Sequence, residues 1–233
     1  MPAEPVTDAR IIPLRRPPVL NVVPGAFVPT TPSLEEVDRA WASLRRSNAR
    51  YFDGRMLHVL GVSRNGHGGV VVHAMECAYR FYAVIGMGLD TGVRPLGVKG
   101  LAERDGRWLM GRRSGEVAYY PDQWEFVPGG CLEPGVDPET MLLRELGEES
   151  GFDAAGAPVP LALLYDPGAF TWEIVHRLVI RERPGIDPPG WEYRELRWIE
   201  PGAEPAGLSP VAEVMRRLRD RLVESRGGGH DRP

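Results

Sequence analysis

The stretch Gly129 to Phe152, GGCLEPGVDPETMLLRELGEESGF, constrains this chain more than any other. Aspartate is a favoured helix cap, proline suits the first helical position, and glycine is the usual residue just past a helix end. The order Asp137, Pro138 and then Gly151 therefore predicts a helix over 138–150. At 3.6 residues per turn, Glu149 falls roughly 40° to one side of Glu145 and Glu148 roughly 60° to the other, which puts three carboxylates on one arc. Leu142, Leu143 and Leu146 are expected on the packing side of the same helix.

Like charges three and four residues apart destabilise a helix, and these lie at its C-terminal end, where the helix dipole also disfavours anions. A divalent cation would compensate for both. Oxygen ligands on a rigid helix suit Mg²⁺ or Mn²⁺, which bind carboxylates together with substrate phosphates. The turn Pro128-Gly129-Gly130 lets backbone groups approach the same point, because no side chain intervenes. The bland alternative is an exposed acidic helix end.

With 233 residues the chain is expected to build one main core. Its 42% hydrophobic and 26% charged content is that of an ordinary soluble protein, and no apolar run is long enough to span a bilayer. Prolines and charges interrupt the first residues before an export signal could form, so a cytoplasmic location is expected. Cys77 and Cys131 have neither disulfide-framework nor zinc spacing and read as neutral thiols. A net charge of −4 argues against a nucleic-acid binder and for a small partner, bridged by metal if it is anionic.

The prolines of residues 1–32 predict an extended arm that lacks regular backbone pairing and acts as a tail or strap. Ser33 and Glu36 form a capping-box pattern that opens an amphipathic helix over 34–47. Residues 56–64 and 70–84 read as a hairpin closed by NGHGG, so 33–95 is expected to be a helix-and-hairpin extension. Asp105-Gly106 signals a second hairpin. Strands are expected at 124–128, 159–165, 171–183 and 193–200. A closing helix is expected from Pro210 to about Glu224, capped by Ser209, with RRLRDRLVESR on its wet side and 226–233 as a tail.

Gly130, followed by Arg144-Glu145-Leu146-Gly147-Glu148-Glu149-Ser150-Gly151-Phe152, resembles the Nudix box, G-x5-E-x7-R-E-U-x-E-E-x-G-U, and matches its second half at every defined position. The resemblance covers about residues 96–225. It implies an α/β fold, a Nudix-type α/β/α sandwich with a mixed sheet, here preceded by an N-terminal extension. It also implies Mg²⁺- or Mn²⁺-dependent hydrolysis of a nucleoside diphosphate linked to another moiety X. The implied metal ligands are Glu145, Glu148, Glu149 and the Gly129 carbonyl, with Arg144 orienting the glutamates. One position departs: Val136 stands where the box has its first glutamate, which typically pairs with the box arginine. Asp137, Glu133 or Glu139 are the candidate replacements. The rival reading is a non-catalytic Nudix-like module that binds nucleotide or protein, with an isomerase on the same fold as a smaller alternative.

The general base is left open between a box glutamate and a carboxylate on a later segment, Asp166 or Glu173. Trp124 could stack on a nucleobase, although packing is the commoner use of a strand aromatic. Arg112 and Arg113 could meet phosphate or simply end a strand in solvent. The five histidines have no ligand spacing. The extension faintly resembles that of nucleotide-sugar-cleaving Nudix enzymes, and is expected either to roof the cleft and select X or to form a homodimer contact.

Overall fold

The structure, a computed structural model, describes residues 10–181 and 190–227. Its strands are β1 (Arg10–Pro13), β2 (Val19–Phe27), β3 (Arg55–Arg64), β4 (Val70–Ala78), β5 (Leu96–Arg104), β6 (Arg107–Arg113), β7 (Trp124–Phe126), β8 (Gly129–Cys131), β9 (Asp153–Ala154), β10 (Val159–Asp166), β11 (Thr171–Arg181) and β12 (Tyr193–Ile199). The helices are α1 (Leu34–Ser47), α2 (Tyr79–Ala83), α3 (Pro138–Ser150) and α4 (Pro210–Gly227).

A nine-stranded mixed sheet runs β1-β10-β11-β5-β6-β12, with β7 paired to β6, β8 to β5 and β9 to β11. Among the described strands, β11 pairs with β5 in parallel and the other pairings of this sheet are antiparallel. The β5–β6 turn is Asp105-Gly106, both at positive φ (51° and 77°), the geometry that matches the right-handed twist of a hairpin. Those strands pair over only two residues before β8 takes up the edge of β5 at Gly97–Lys99. That divergence brings the glycine turn against the middle of the sheet.

Side chains alternate along the strands and fill both faces of the large sheet. On one face Leu96, Val98, Leu163, Ile174 and Leu178 pack against Met141, Leu142 and Leu146 of α3. On the other, Leu101, Met110, Leu164 and Val175 pack against Val211, Ala212, Val214 and Met215 of α4. The result is an α/β/α sandwich. Among the described residues, no helix is long and apolar enough to cross a membrane.

Several expectations require correction. Residues 1–9 of the arm lie outside the described residues, and from Arg10 on its backbone does pair: β1 joins β10 at the edge of the large sheet, while β2 runs parallel to β4 in a small sheet ordered β2-β4-β3. Its prolines punctuate strands rather than prevent them, since Pro13 ends β1 and Pro24-Gly25 falls at the register shift in β2. The strand expected to reach residue 84 stops at Ala78, and α2 and a 3₁₀ turn (Val84–Met87) follow. Their aromatic and β-branched composition serves a separate core of Val37, Trp41, Phe81, Tyr82 and Val84 rather than a strand. The closing helix runs on through Gly227, into the expected tail, while residues 182–183, at the end of one expected strand, and 228–233 lie outside the described residues.

Two side chains also face opposite to expectation. Arg219 is 1% exposed, with its guanidinium engaged by Glu204 and Asp220 and stacked 6.0 Å from the centre of Phe126. Leu143 faces solvent at 38% exposure, so of the three leucines only Leu142 and Leu146 join Met141 in anchoring α3. Leu146→Ala should cost about 2–5 kcal/mol through lost burial and a residual cavity. Leu143→Ala should stay within about 0.5 kcal/mol, as surface substitutions do. Equal shifts of the two variants in urea denaturation would contradict this packing.

Candidate active site

Helix α3 begins where expected. Asp137 caps it, its carboxylate accepting from the Glu139 and Thr140 amides at 3.0 Å, and Gly151 ends it in the left-handed region. The three glutamates are nevertheless unequal. Glu149 is buried, Glu145 is half-buried and Glu148 is exposed. Glu149 lies directly behind the glycine turn, where one carboxylate oxygen accepts from the Gly129 amide at 2.9 Å. Its other oxygen, Oε1, is buried without a hydrogen-bond partner. Glu145 occupies the space a Cβ would take at Gly130, so any larger residue there would displace its carboxylate.

Burial raises the Glu149 pKa well above the usual carboxylate range, and the negative charge of Glu192 and Glu145 adds to the shift. Burial also lifts Glu145 to about 7, reinforced by Glu148 and Glu192. These carboxylates are held together against desolvation and mutual repulsion, the situation that a bound cation relieves.

Beside the turn opens a cleft of about 340 Å³, walled by Lys99, Arg113, Glu125, Gly129, Glu145 and Glu173 among others. On its floor Glu125, 2% exposed, receives Lys99 Nζ at 3.1 Å and an Arg113 nitrogen at 3.4 Å. Burial opposes the charge on Lys99, but Glu125 and Glu173 outweigh it and hold its pKa above the ordinary value. Two cations thus share one paired carboxylate. Burial lifts Glu173 to about 7, against the pull of Lys99, and the Glu173 carboxylate fills the place of a side chain at Gly97. Asp166 also lines the cleft, but its oxygens accept from the Tyr120 hydroxyl at 2.7 and 2.9 Å and from the Gly168 amide at 3.0 Å.

Arg144 has a partner despite Val136: its guanidinium meets Glu133 at 2.5 Å. Asp137 is occupied by capping, and Val136 packs on the core. Among the other residues considered for the site, Arg113 lines the cleft, whereas Arg112 turns its Nε to the Asp122 carbonyl at 3.2 Å. Trp124 is not a cleft residue. It is 4% exposed and packs in the α4-side core, with Arg197 4.9 Å over its ring. Lys99 and Glu125 were not anticipated, although a lysine in LGVKGLAER and a glutamate inside WEF are charges at positions where a strand should be buried.

A family model described as NUDIX domain matches residues 94–221, more than half of the chain. The chain belongs to the Nudix family. It is also similar to an ADP-ribose pyrophosphatase of Bacillus subtilis (strain 168), 37% identical over 100 residues, which cover 43% of this chain and 48% of the relative. The chain thus spans about half the length of that protein. Among solved structures it resembles a Nudix hydrolase from Nitrosomonas europaea, with TM-score 0.47 and 22% identity over 58% of this chain and 74% of the other. It also resembles a MutT protein from Methanosarcina mazei Go1, with TM-score 0.44 and 20% identity over 57% and 95% of the two chains.

Nudix hydrolases generally use divalent metal ions. Among the described residues, no three His, Cys, Asp or Glu side chains form a group that could hold a cation by themselves. The unpartnered Glu149 Oε1, Glu145 and the glycine turn between them would offer hard oxygen donors to such an ion, whose charge would relieve their desolvation and repulsion. The remaining positions suit water and phosphate oxygens, which Mg²⁺ characteristically retains.

Glu149 holds its proton more tightly in the folded chain than in the unfolded one. Stability from this group is therefore present at low pH and is lost as pH rises above the ordinary value of 4.5. In chelator-treated protein, Glu149→Gln should gain stability relative to the parent as pH is raised from about 4.5 towards neutrality. A gap between their unfolding midpoints that does not widen with pH would show that the carboxylate is not desolvated.

Proposed function

We propose that this Nudix protein hydrolyses the diphosphate bond of a nucleoside diphosphate linked to a second moiety, with Mg²⁺ or Mn²⁺ as cofactor. The observation that carries this reading is the meeting of Glu145 and the Gly129-Gly130 turn, backed by Glu149 on the Gly129 amide, at one cleft that also presents Lys99 and Arg113. The B. subtilis relative makes ADP-ribose the first substrate to test.

Glu145, Glu148, Glu149 and the Gly129 carbonyl would hold the cation. When bound, it supplies neutralisation of the diphosphate oxygens and acidification of a water. The protein's own groups do the rest. Lys99 and Arg113 outnumber the carboxylate they share and draw the diphosphate to the cleft floor. Glu173 serves as proton acceptor, because its pKa near 7 balances availability against basicity, whereas Asp166 is committed to Tyr120. Arg144 ties the middle of α3 to the preceding loop through Glu133, which takes the place of the glutamate absent at 136. That ion pair favours the hydrolase over the non-catalytic module, since the arginine keeps its carboxylate partner.

Incubation with ADP-ribose, nucleotide sugars, dinucleoside polyphosphates and nucleoside triphosphates should release nucleotide from at least one of them, and only with divalent metal. No metal-dependent product from any of them would favour the binding module. Glu149→Gln should lower kcat at least about a hundredfold, the scale of several kcal/mol of lost charge stabilisation. If it is as active as the parent, the site assignment is wrong. Because Glu133 already engages Arg144, Val136→Glu alone should change activity by less than about twofold. The same change should restore much of the activity lost in Glu133→Gln; absence of rescue would separate Arg144 from the catalytic arrangement.

A further inference from the structure

The loop between β6 and β7, residues 114–123, forms one wall of the diphosphate cleft through Val117, Ala118, Tyr119 and Tyr120. Tyr120 and Asp122 both hold positive φ, 54° and 64°, a region that non-glycine residues occupy rarely and keep only where their surroundings fix them. Two tyrosines do the fixing. The Tyr120 hydroxyl crosses to the turn between β10 and β11, where both Asp166 oxygens accept from it, at 2.7 and 2.9 Å. It sits over Gly168, in the space that a Cβ there would need. Burial and the Asp166 charge push the Tyr120 pKa far above its ordinary value, so the hydroxyl stays a donor. The Tyr119 ring stacks on Tyr82 of α2, 5.5 Å between centres, and the Tyr82 hydroxyl donates to the Ala169 carbonyl of the same turn at 2.8 Å.

The backbone held in this way carries an acceptor for Arg113. The Tyr119 carbonyl accepts from Arg113 Nε at 3.1 Å, while an Nη of the same side chain reaches Glu125 at 3.4 Å. A guanidinium is planar, so bonds at two of its edges fix the direction of its remaining N–H groups. One support stands on the cleft floor. The other stands on the strained loop. We propose that Tyr120 is a positioning residue: its clasp on Asp166 and Gly168 holds the Tyr119 carbonyl in place, and that carbonyl aims the Arg113 guanidinium at the diphosphate. The proposal rests on the reading of this cleft as a diphosphate site. Because Asp166 engages the Tyr120 hydroxyl, Tyr120 acts through Arg113 and not on the ligand. Tyr120→Phe keeps the ring and removes only the clasp. Gly168→Ala reaches the same end from the other side, since its methyl group would take the place of the hydroxyl, and the backbone of Gly168 is not in the left-handed region.

Titration calorimetry of the full chain with inorganic pyrophosphate in the presence of MgCl₂ tests this. Tyr120→Phe and Gly168→Ala should each bind pyrophosphate about tenfold more weakly than the parent, the scale of one misaligned hydrogen bond to a charged group. Arg113→Lys keeps the positive charge but has no planar fork to be aimed. In that background Tyr120→Phe should weaken binding by less than about twofold, because residues that act through one another are not additive. A clasp that served folding alone would weaken both backgrounds alike. Equal losses in the two backgrounds, or unchanged affinity in both Tyr120→Phe and Gly168→Ala, overturn the proposal and leave the cleft a diphosphate site. A parent that binds no pyrophosphate removes the diphosphate reading and the proposal with it.

Discussion

Glu149 is the constraint around which the catalytic half of this fold is arranged. Its carboxylate is buried at the end of a helix, held by one backbone amide and otherwise unpaired, next to a second carboxylate of raised pKa. An isolated buried charge costs far more than it returns unless it is paired or binds metal. The glycines around it are the means of bringing it there. Gly130 gives its side-chain space to Glu145, and Gly97 yields to Glu173. The early separation of β6 from β5 leaves the β5 edge open for the turn that carries the Gly129 amide.

The acidic helix was the most legible part of the chain, because helix caps and the 3.6-residue repeat are local rules that tertiary contacts seldom override. Asp137, Gly151 and the arc of glutamates lie where those rules put them. Burial was less legible. Periodicity gave Glu145, Glu148 and Glu149 one face but could not say that the sheet would cover Glu149 and leave Glu148 in solvent, since that depends on where β8 sits. Leu143 and Arg219 miss for the same reason: an amphipathic pattern gives a stripe, and the neighbouring elements decide its edges.

Buried charge was the main signal passed over. Lys99 and Glu125 stand at apolar positions of strands distant in sequence, and only the sheet brings them within 3.1 Å. The partner of Arg144 was open among three carboxylates for a similar reason, since the loop between Cys131 and Asp137 fixes which one reaches it. Glu133 does, while Asp137 is spent on the helix cap. In the N-terminal region, prolines suggested a chain without backbone pairing, yet the intervals between them are long enough for two strands. One strand lies on each sheet, so residues 10–27 tie the extension to the catalytic half.

In the proposed function the α3 carboxylates hold a divalent cation against a diphosphate. The most direct measurement is anomalous diffraction from crystals soaked with Mn²⁺ and a non-hydrolysable nucleoside diphosphate analogue. The expected result is a manganese peak in contact with Glu149 Oε1 and a Glu145 oxygen, bridged to the analogue's phosphates. An analogue seated in the cleft with no manganese beside those carboxylates, or with the ion elsewhere, would contradict it.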